Sequence, residues 1–155
     1  MWVGITIILV VWILWQFVFG YPAARVECEN LTAREQHLLA KSAEAFFPEG
    51  GSLPSAAEAG VVQYLDRMFA QLPKQQKILI RLLFVLIEHG PLIFGPLKGR
   101  TTRLSQEARI SYFRSWEESS IYFRRLAFLS LRSLVTIGYF SSQSVETALM
   151  SEKKS

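Results

Sequence analysis

The first twenty residues, MWVGITIILVVWILWQFVFG, carry no charged side chain, and only Thr6 and Gln16 are clearly polar. At 1.5 Å per helical residue, about 20 residues span the ~30 Å hydrocarbon core of a bilayer. The pattern predicts a transmembrane anchor over residues 1–21, with Trp2, Trp12, Trp15 and Phe19 as its membrane-contacting aromatics. Pro22 then stops the helix. A cleaved signal peptide would need a basic leader, a shorter apolar core and a small-residue cleavage site. The run has none of these, so its length and flanks favour an uncleaved span. No Lys or Arg precedes it, whereas Arg25, Arg34 and Lys41 follow, which favours a cytoplasmic domain by the positive-inside rule.

Beyond a linker at 22–30, apolar positions fall at helical spacing and almost nowhere alternate. Thr32 and Glu35 make a capping box ahead of a helix over 31–47, whose apolar positions are Leu38, Leu39, Phe46 and Phe47. After PEGGSLPS, Ser55 and Glu58 form a second box opening a helix over 56–72. Its stripe is Val61, Val62, Leu65, Met68, Phe69 and Leu72. Pro73 separates this from a very apolar helix over 74–90, and GPLIFGPLKGRTTR reads as a loop punctuated by Gly and Pro. Ser105 caps a helix through Trp116, a long helix follows to Phe140, and residues 141–150 add a short one. The expectation is an all-α fold: one transmembrane helix, then a compact domain of five or six helices over 31–149, with a disordered tail at 150–155.

Composition narrows the function classes. Half of the 155 residues are apolar and the formal charge is +4, but acidic residues are interspersed with the basic ones. The basic run with interleaved aromatics that marks a nucleic-acid binder is missing. Cys28 is the only cysteine, and His37 and His89 are the only histidines. That excludes an intrachain disulfide and leaves no spacing suited to a structural zinc site. GPLIFGPL has the glycine spacing of a phosphate loop, but Pro96 and Leu97 stand where Lys and Ser or Thr would be needed. No GxGxxG and no nucleophile motif is present, so no catalytic residue, metal ligand or cofactor-binding residue is assigned to this chain.

The segment WEESSIYFRRLAFLSLRSLVTIGYF, residues 116–140, poses the sharper question. A helical wheel gives it no clean polar face, yet it holds Arg124, Arg125 and Arg132. Unpaired buried charge costs several kcal/mol. Either these arginines pair inside the domain with Glu117, Glu118, Asp66 or Glu88, or one side of the helix is an interface. Arg and aromatic side chains are enriched as anchors at interfaces.

LSQEARISYFRSWEESSIYFRRLAFLSLRSLVTIGYFSS also resembles the C-terminal half of the gluconate 2-dehydrogenase subunit 3 family. Leu104, Arg109, Trp116, Ser119, Arg124, Arg125, Ala127, Phe128, Leu134, Tyr139 and Phe140 occupy the family's positions. LTAREQHLLAKSAEAFFP and AAEAGVVQYLDRMFAQLP resemble its first two helices. A similar helical region precedes the flavin domain of long-chain alcohol oxidases. The resemblance implies a non-catalytic small subunit of a large flavoprotein of the glucose-methanol-choline type, which oxidises an alcohol or sugar with FAD. The cofactor would reside in that partner, and electrons would pass to a cytochrome or quinone. Arg109, Trp116, Arg124, Arg125, Phe128, Arg132, Tyr139 and Phe140 are the expected partner interface. Many family members carry a twin-arginine export signal; here the paired arginines are internal and a hydrophobic span stands at the N-terminus. The expected location is therefore a bacterial inner membrane, with a single pass. Thr101 or Thr102 stands where the fatty-alcohol branch has Phe. A transient maturation chaperone for the flavoprotein and an independent membrane-anchored enzyme are the alternatives.

Overall fold

A computed structural model describes residue 21 and residues 27–94 and 99–152. Trp2, Trp12, Trp15 and Phe19 of the expected anchor lie outside the described residues. Among the described residues there are six α-helices and no strand, and no helix is long and apolar enough to cross a membrane. The helices are α1 (Ala33–Phe46), α2 (Val61–Gln71), α3 (Lys74–Phe94), α4 (Gln106–Glu117), α5 (Tyr122–Phe140) and α6 (Gln143–Glu152). A short 3-10 turn at Thr101–Arg103 precedes α4.

The Thr32 capping box forms as the sequence predicts. The Thr32 amide donates to Glu35 Oε2 at 2.8 Å and the Glu35 amide donates to Thr32 Oγ1 at 3.4 Å. Just ahead of it, one carboxylate collects three successive backbone amides. Asp66 on α2 accepts from Glu29 (3.3 Å), Asn30 (2.9 Å) and Leu31 (2.8 Å). Burial pushes this carboxyl upward, but the hydrogen bonds from Asn30, Leu31 and Glu29 outweigh it and hold its pKa below the ordinary value. Residues 29 and 30 are thus tied to the domain, although the sequence pattern assigned them to a linker.

Four helix boundaries differ from the pattern, the first two for local reasons. The box of Ser55 and Glu58 forms, with Ser55 N donating to Glu58 Oε2 at 2.7 Å, but it closes only one turn. Gly60 then takes a left-handed φ of 67°, and α2 starts at Val61. α3 does not stop at Gly90 but continues through Pro91 to Phe94. Proline has no N–H for the carbonyl four residues back, which here belongs to Ile87. That oxygen accepts the Thr101 hydroxyl at 2.5 Å, so the backbone group stays satisfied. Finally, residues 116–140 are not one helix. α4 ends at Glu117 and α5 begins at Tyr122, so Glu117 sits at a helix C-terminus. α6 runs to Glu152, which makes 150–152 helical where the pattern placed a frayed tail.

α5 packs on α2 and α4, and α1 touches α2, α3, α4 and α5. The core is built from Leu38, Leu39, Val61, Leu65, Phe69, Ile87, Phe113, Trp116, Leu131 and Val135, all nearly solvent-free. Gly138 lets α5 approach α2 closely, since a β-carbon there would lie 3.1 Å from Val61 Cγ1.

Candidate partner interface

α5 has two apolar faces. Its inner face, Ala127, Phe128, Leu131, Val135, Gly138 and Tyr139, is buried in the domain. At 100° per residue, Tyr122, Leu126, Leu129, Ser133, Ile137 and Phe140 fall together on the opposite side. That side faces outward: Tyr122 is 69% exposed, Leu129 52% and Phe140 54%. Phe123 borders it and is also exposed. Monomeric proteins rarely leave an apolar stripe this long uncovered. Beside it, a groove of about 430 Å³ opens between α4 and α5, with Ile110, Phe113, Arg132, Thr136 and Phe140 among its lining residues.

The three arginines of α5 take three different surroundings. Arg132 Nη1 donates to Glu117 Oε1 at 2.9 Å in an exposed ion pair. Arg125 Nη1 donates to the Ser119 carbonyl in the α4–α5 turn, and its guanidinium lies over the Tyr122 ring at 5.8 Å. Arg124 reaches Phe94 of α3 and Trp116 of α4, with its guanidinium carbon 5.2 Å and 5.4 Å from the two ring centroids. Its Nε is buried without a hydrogen-bond partner among the described residues. Aromatic faces stabilise a guanidinium without using up its donors. Arg124 therefore keeps hydrogen-bonding capacity at the first turn of α5, on the side that faces α3 and α4.

Arg109 behaves differently from these. It is buried, and it donates to the carbonyls of Thr101 (3.3 Å), Leu104 (2.7 Å) and Lys41 (3.4 Å) and to Gln106 Oε1 (2.7 Å). Burial lowers its pKa, while Glu44 and Glu88 act in the opposite sense. Trp116 and Phe128 are core residues, and Tyr139 stacks on Phe47 at 3.8 Å while donating to the Pro54 carbonyl at 2.6 Å. Of the eight expected interface residues, Arg109, Trp116, Phe128 and Tyr139 thus face inward. Arg132 and Phe140 lie on the surface, and Arg124 and Arg125 are half-buried at its edge.

A second polar cluster sits at the C-terminal end of α3. The Glu88 carboxylate is buried and accepts from Tyr21 OH (2.9 Å), Thr102 Oγ1 (2.6 Å) and Thr102 N (3.2 Å). Burial raises its pKa, and the hydrogen bonds from Thr102 and Tyr21 and the charge of Arg100, 3.9 Å away, oppose that rise. The guanidinium of Arg100 lies over the Tyr21 ring at 4.2 Å, and that of Arg34 at 4.8 Å. The adjacent His89 is pushed down to about 4, by burial and then by the charges of Arg34 and Arg100.

The model of the gluconate 2-dehydrogenase subunit 3 family matches residues 33–151, from the first residue of α1 to the penultimate residue of α6. The chain belongs to that family. No curated protein and no solved structure matches it. Membership of the gluconate 2-dehydrogenase subunit 3 family makes the chain one of a family of dehydrogenase subunits, and an outward apolar stripe on a subunit is an ordinary feature. Within this family member, sequence reasoning passed over Leu126, Leu129 and Ile137. The signal was available: positions 122, 126, 129, 133, 137 and 140 repeat at helical spacing, parallel to the buried set.

Proposed function

We propose that this chain is the non-catalytic small subunit of an FAD-dependent alcohol or sugar dehydrogenase of the glucose-methanol-choline type. It binds and stabilises the large flavoprotein through the outward face of α5 and tethers it to a membrane through residues 1–20. The carrying observation is the face itself: aromatic and aliphatic side chains from Tyr122 to Phe140, edged by Arg125 and Arg132. Aromatic-and-arginine composition is what distinguishes protein-protein anchors from ordinary surface. The part-buried Arg124, which lies over two rings and has no hydrogen-bond partner for its Nε among the described residues, is suited to a carboxylate supplied by the partner. FAD belongs to the large subunit, and a cytochrome or quinone accepts its electrons.

The test is co-expression with the cognate large flavoprotein, followed by detergent solubilisation and capture through a tag on this chain. A stoichiometric complex containing FAD is the expected result. Repeated capture without flavoprotein overturns the subunit reading. If active flavoprotein yield nevertheless rises, the chain acts as a transient chaperone instead.

A further inference from the structure

A second outward apolar face lies on α3, and its chemistry differs from that of α5. Ile78, Leu79, Leu82, Val85 and Ile93 project into solvent, with Leu79 66% and Ile93 65% exposed. At 100° per residue Ile78, Leu82 and Val85 form one stripe with Leu79 at its border, and Ile93 returns to the same side beyond the buried His89, so the face spans roughly 22 Å at 1.5 Å per residue. All five are aliphatic. The one exposed aromatic of this helix, Phe94, turns away towards Trp116 and Arg124. One flank of the stripe is basic, with Lys74, Lys77 and Arg81 along it, Arg81 also pairing with Glu35 at 3.2 Å. Aliphatic cover with a cationic edge is the pattern of a helix lying in the headgroup layer of a bilayer.

The chain's connectivity adds an independent reason. The uncharged run 1–20 ends at Tyr21, and Tyr21 is bonded to Glu88 on α3. Glu88 and Val85 line the same hollow beside Arg34 and Arg81. Tyr21, the residue that follows this run, is therefore held on the flank of the α3 stripe.

We infer that the outward face of α3, Ile78, Leu79, Leu82, Val85 and Ile93, rests on the lipid surface at the headgroup–acyl boundary, with Lys74, Lys77 and Arg81 towards anionic headgroups. The inference rests on the reading of residues 1–20 as a bilayer span. It assigns the two exposed faces separately: α3 to lipid and α5 to the large subunit.

Nitroxide accessibility in the full-length chain tests it. Single-cysteine variants Leu79→Cys, Leu82→Cys and Ile93→Cys, in a Cys28→Ser background, are spin-labelled and reconstituted into bilayers of phosphatidylcholine and phosphatidylglycerol. Val10→Cys reports the span and Arg67→Cys on exposed α2 surface reports water. The labels on α3 should collide several-fold more with oxygen, relative to a water-soluble nickel chelate, than the label at 67. If the label at 82 matches the one at 67 while the label at 10 is in lipid, the α3 inference falls and the span stands. If the label at 10 is itself in water, both fall. Spectral broadening at 82 that disappears on dilution with unlabelled protein would assign the face to a second copy and overturn the inference. Shielding of 82 from both reagents only when the flavoprotein is present would assign it to the large subunit, with the same consequence.

Discussion

Gly90 of α3 packs directly under Tyr112 and Trp116 of α4. A β-carbon on it would collide with the Tyr112 hydroxyl and lie 2.6 Å from Trp116 Cζ2. In an exposed helix, Gly→Ala gains about 1 kcal/mol from propensity. Here the collision involves two buried rings, so the sign reverses. Gly90→Ala should destabilise by ~1–3 kcal/mol, and adding Tyr112→Phe should recover part of the loss by removing the hydroxyl. Chemical denaturation of both variants checks this; a Gly90→Ala protein as stable as its parent would show that the rings move aside freely.

Thr101 is expected to be worth more than its size suggests. Its hydroxyl serves the Ile87 carbonyl that Pro91 cannot reach. Thr101→Val leaves that buried oxygen unpaired and should cost ~1–3 kcal/mol, whereas Thr101→Ser, which keeps the hydroxyl, should cost clearly less. In a Pro91→Ala background the restored amide can bond Ile87 itself, so the penalty of Thr101→Val should shrink. A double-mutant cycle that finds no coupling between 91 and 101 would contradict this account.

His89 makes a pH prediction. The unfolded chain takes up this proton near the ordinary value of 6.5, the folded one near 4. Between those values the unfolded state binds more protons, so stability falls as pH falls, by up to roughly 3 kcal/mol. Glu88 has the opposite sign. Its folded pKa is raised, so over the window above its ordinary value of 4.5 the folded state binds more protons and stability rises as pH falls. His89→Gln should therefore flatten or invert the acid slope. An unchanged slope in urea denaturation between pH 6.5 and 4 would remove His89 from the account.

The outward and inward residues of α5 should separate by experiment. Leu126→Ala and Leu129→Ala should leave the melting temperature of the chain nearly unchanged and weaken the flavoprotein complex by ~1–2 kcal/mol each. Arg124→Ala should cost more in binding than in stability. Glu117→Ala should change stability by less than about 1 kcal/mol, because the pair with Arg132 is exposed. Equal losses in melting and binding at 126 and 129 would move the interface elsewhere.

Much of this fold was legible where the physics is local. The Thr32–Glu35 box and the stripe of α2 read directly, because capping and periodicity involve residues three or four apart. Pro91 misled for the opposite reason: its compensation comes from Thr101, ten residues on, after a turn. The burial of Arg109 was equally hidden, because its acceptors are mostly backbone carbonyls, which every sequence possesses. Family positions at Trp116, Phe128 and Tyr139 marked architecture, and the surface residues between them mark what the helix presents outward. The Glu88 cluster draws on Tyr21, Arg100 and Thr102, whose convergence no spacing rule contains.

The clasp of Asp66 on the amides of Glu29, Asn30 and Leu31 has a mechanical meaning. A pull that has passed the Tyr21–Glu88 bond meets these bonds before it reaches the Thr32 cap, so what remains of it enters the helical core at the middle of α2. α1 is thereby spared from unzipping at its first turn. A domain tethered from its N-terminal side would carry its load first through Tyr21 on Glu88 and then through this aspartate.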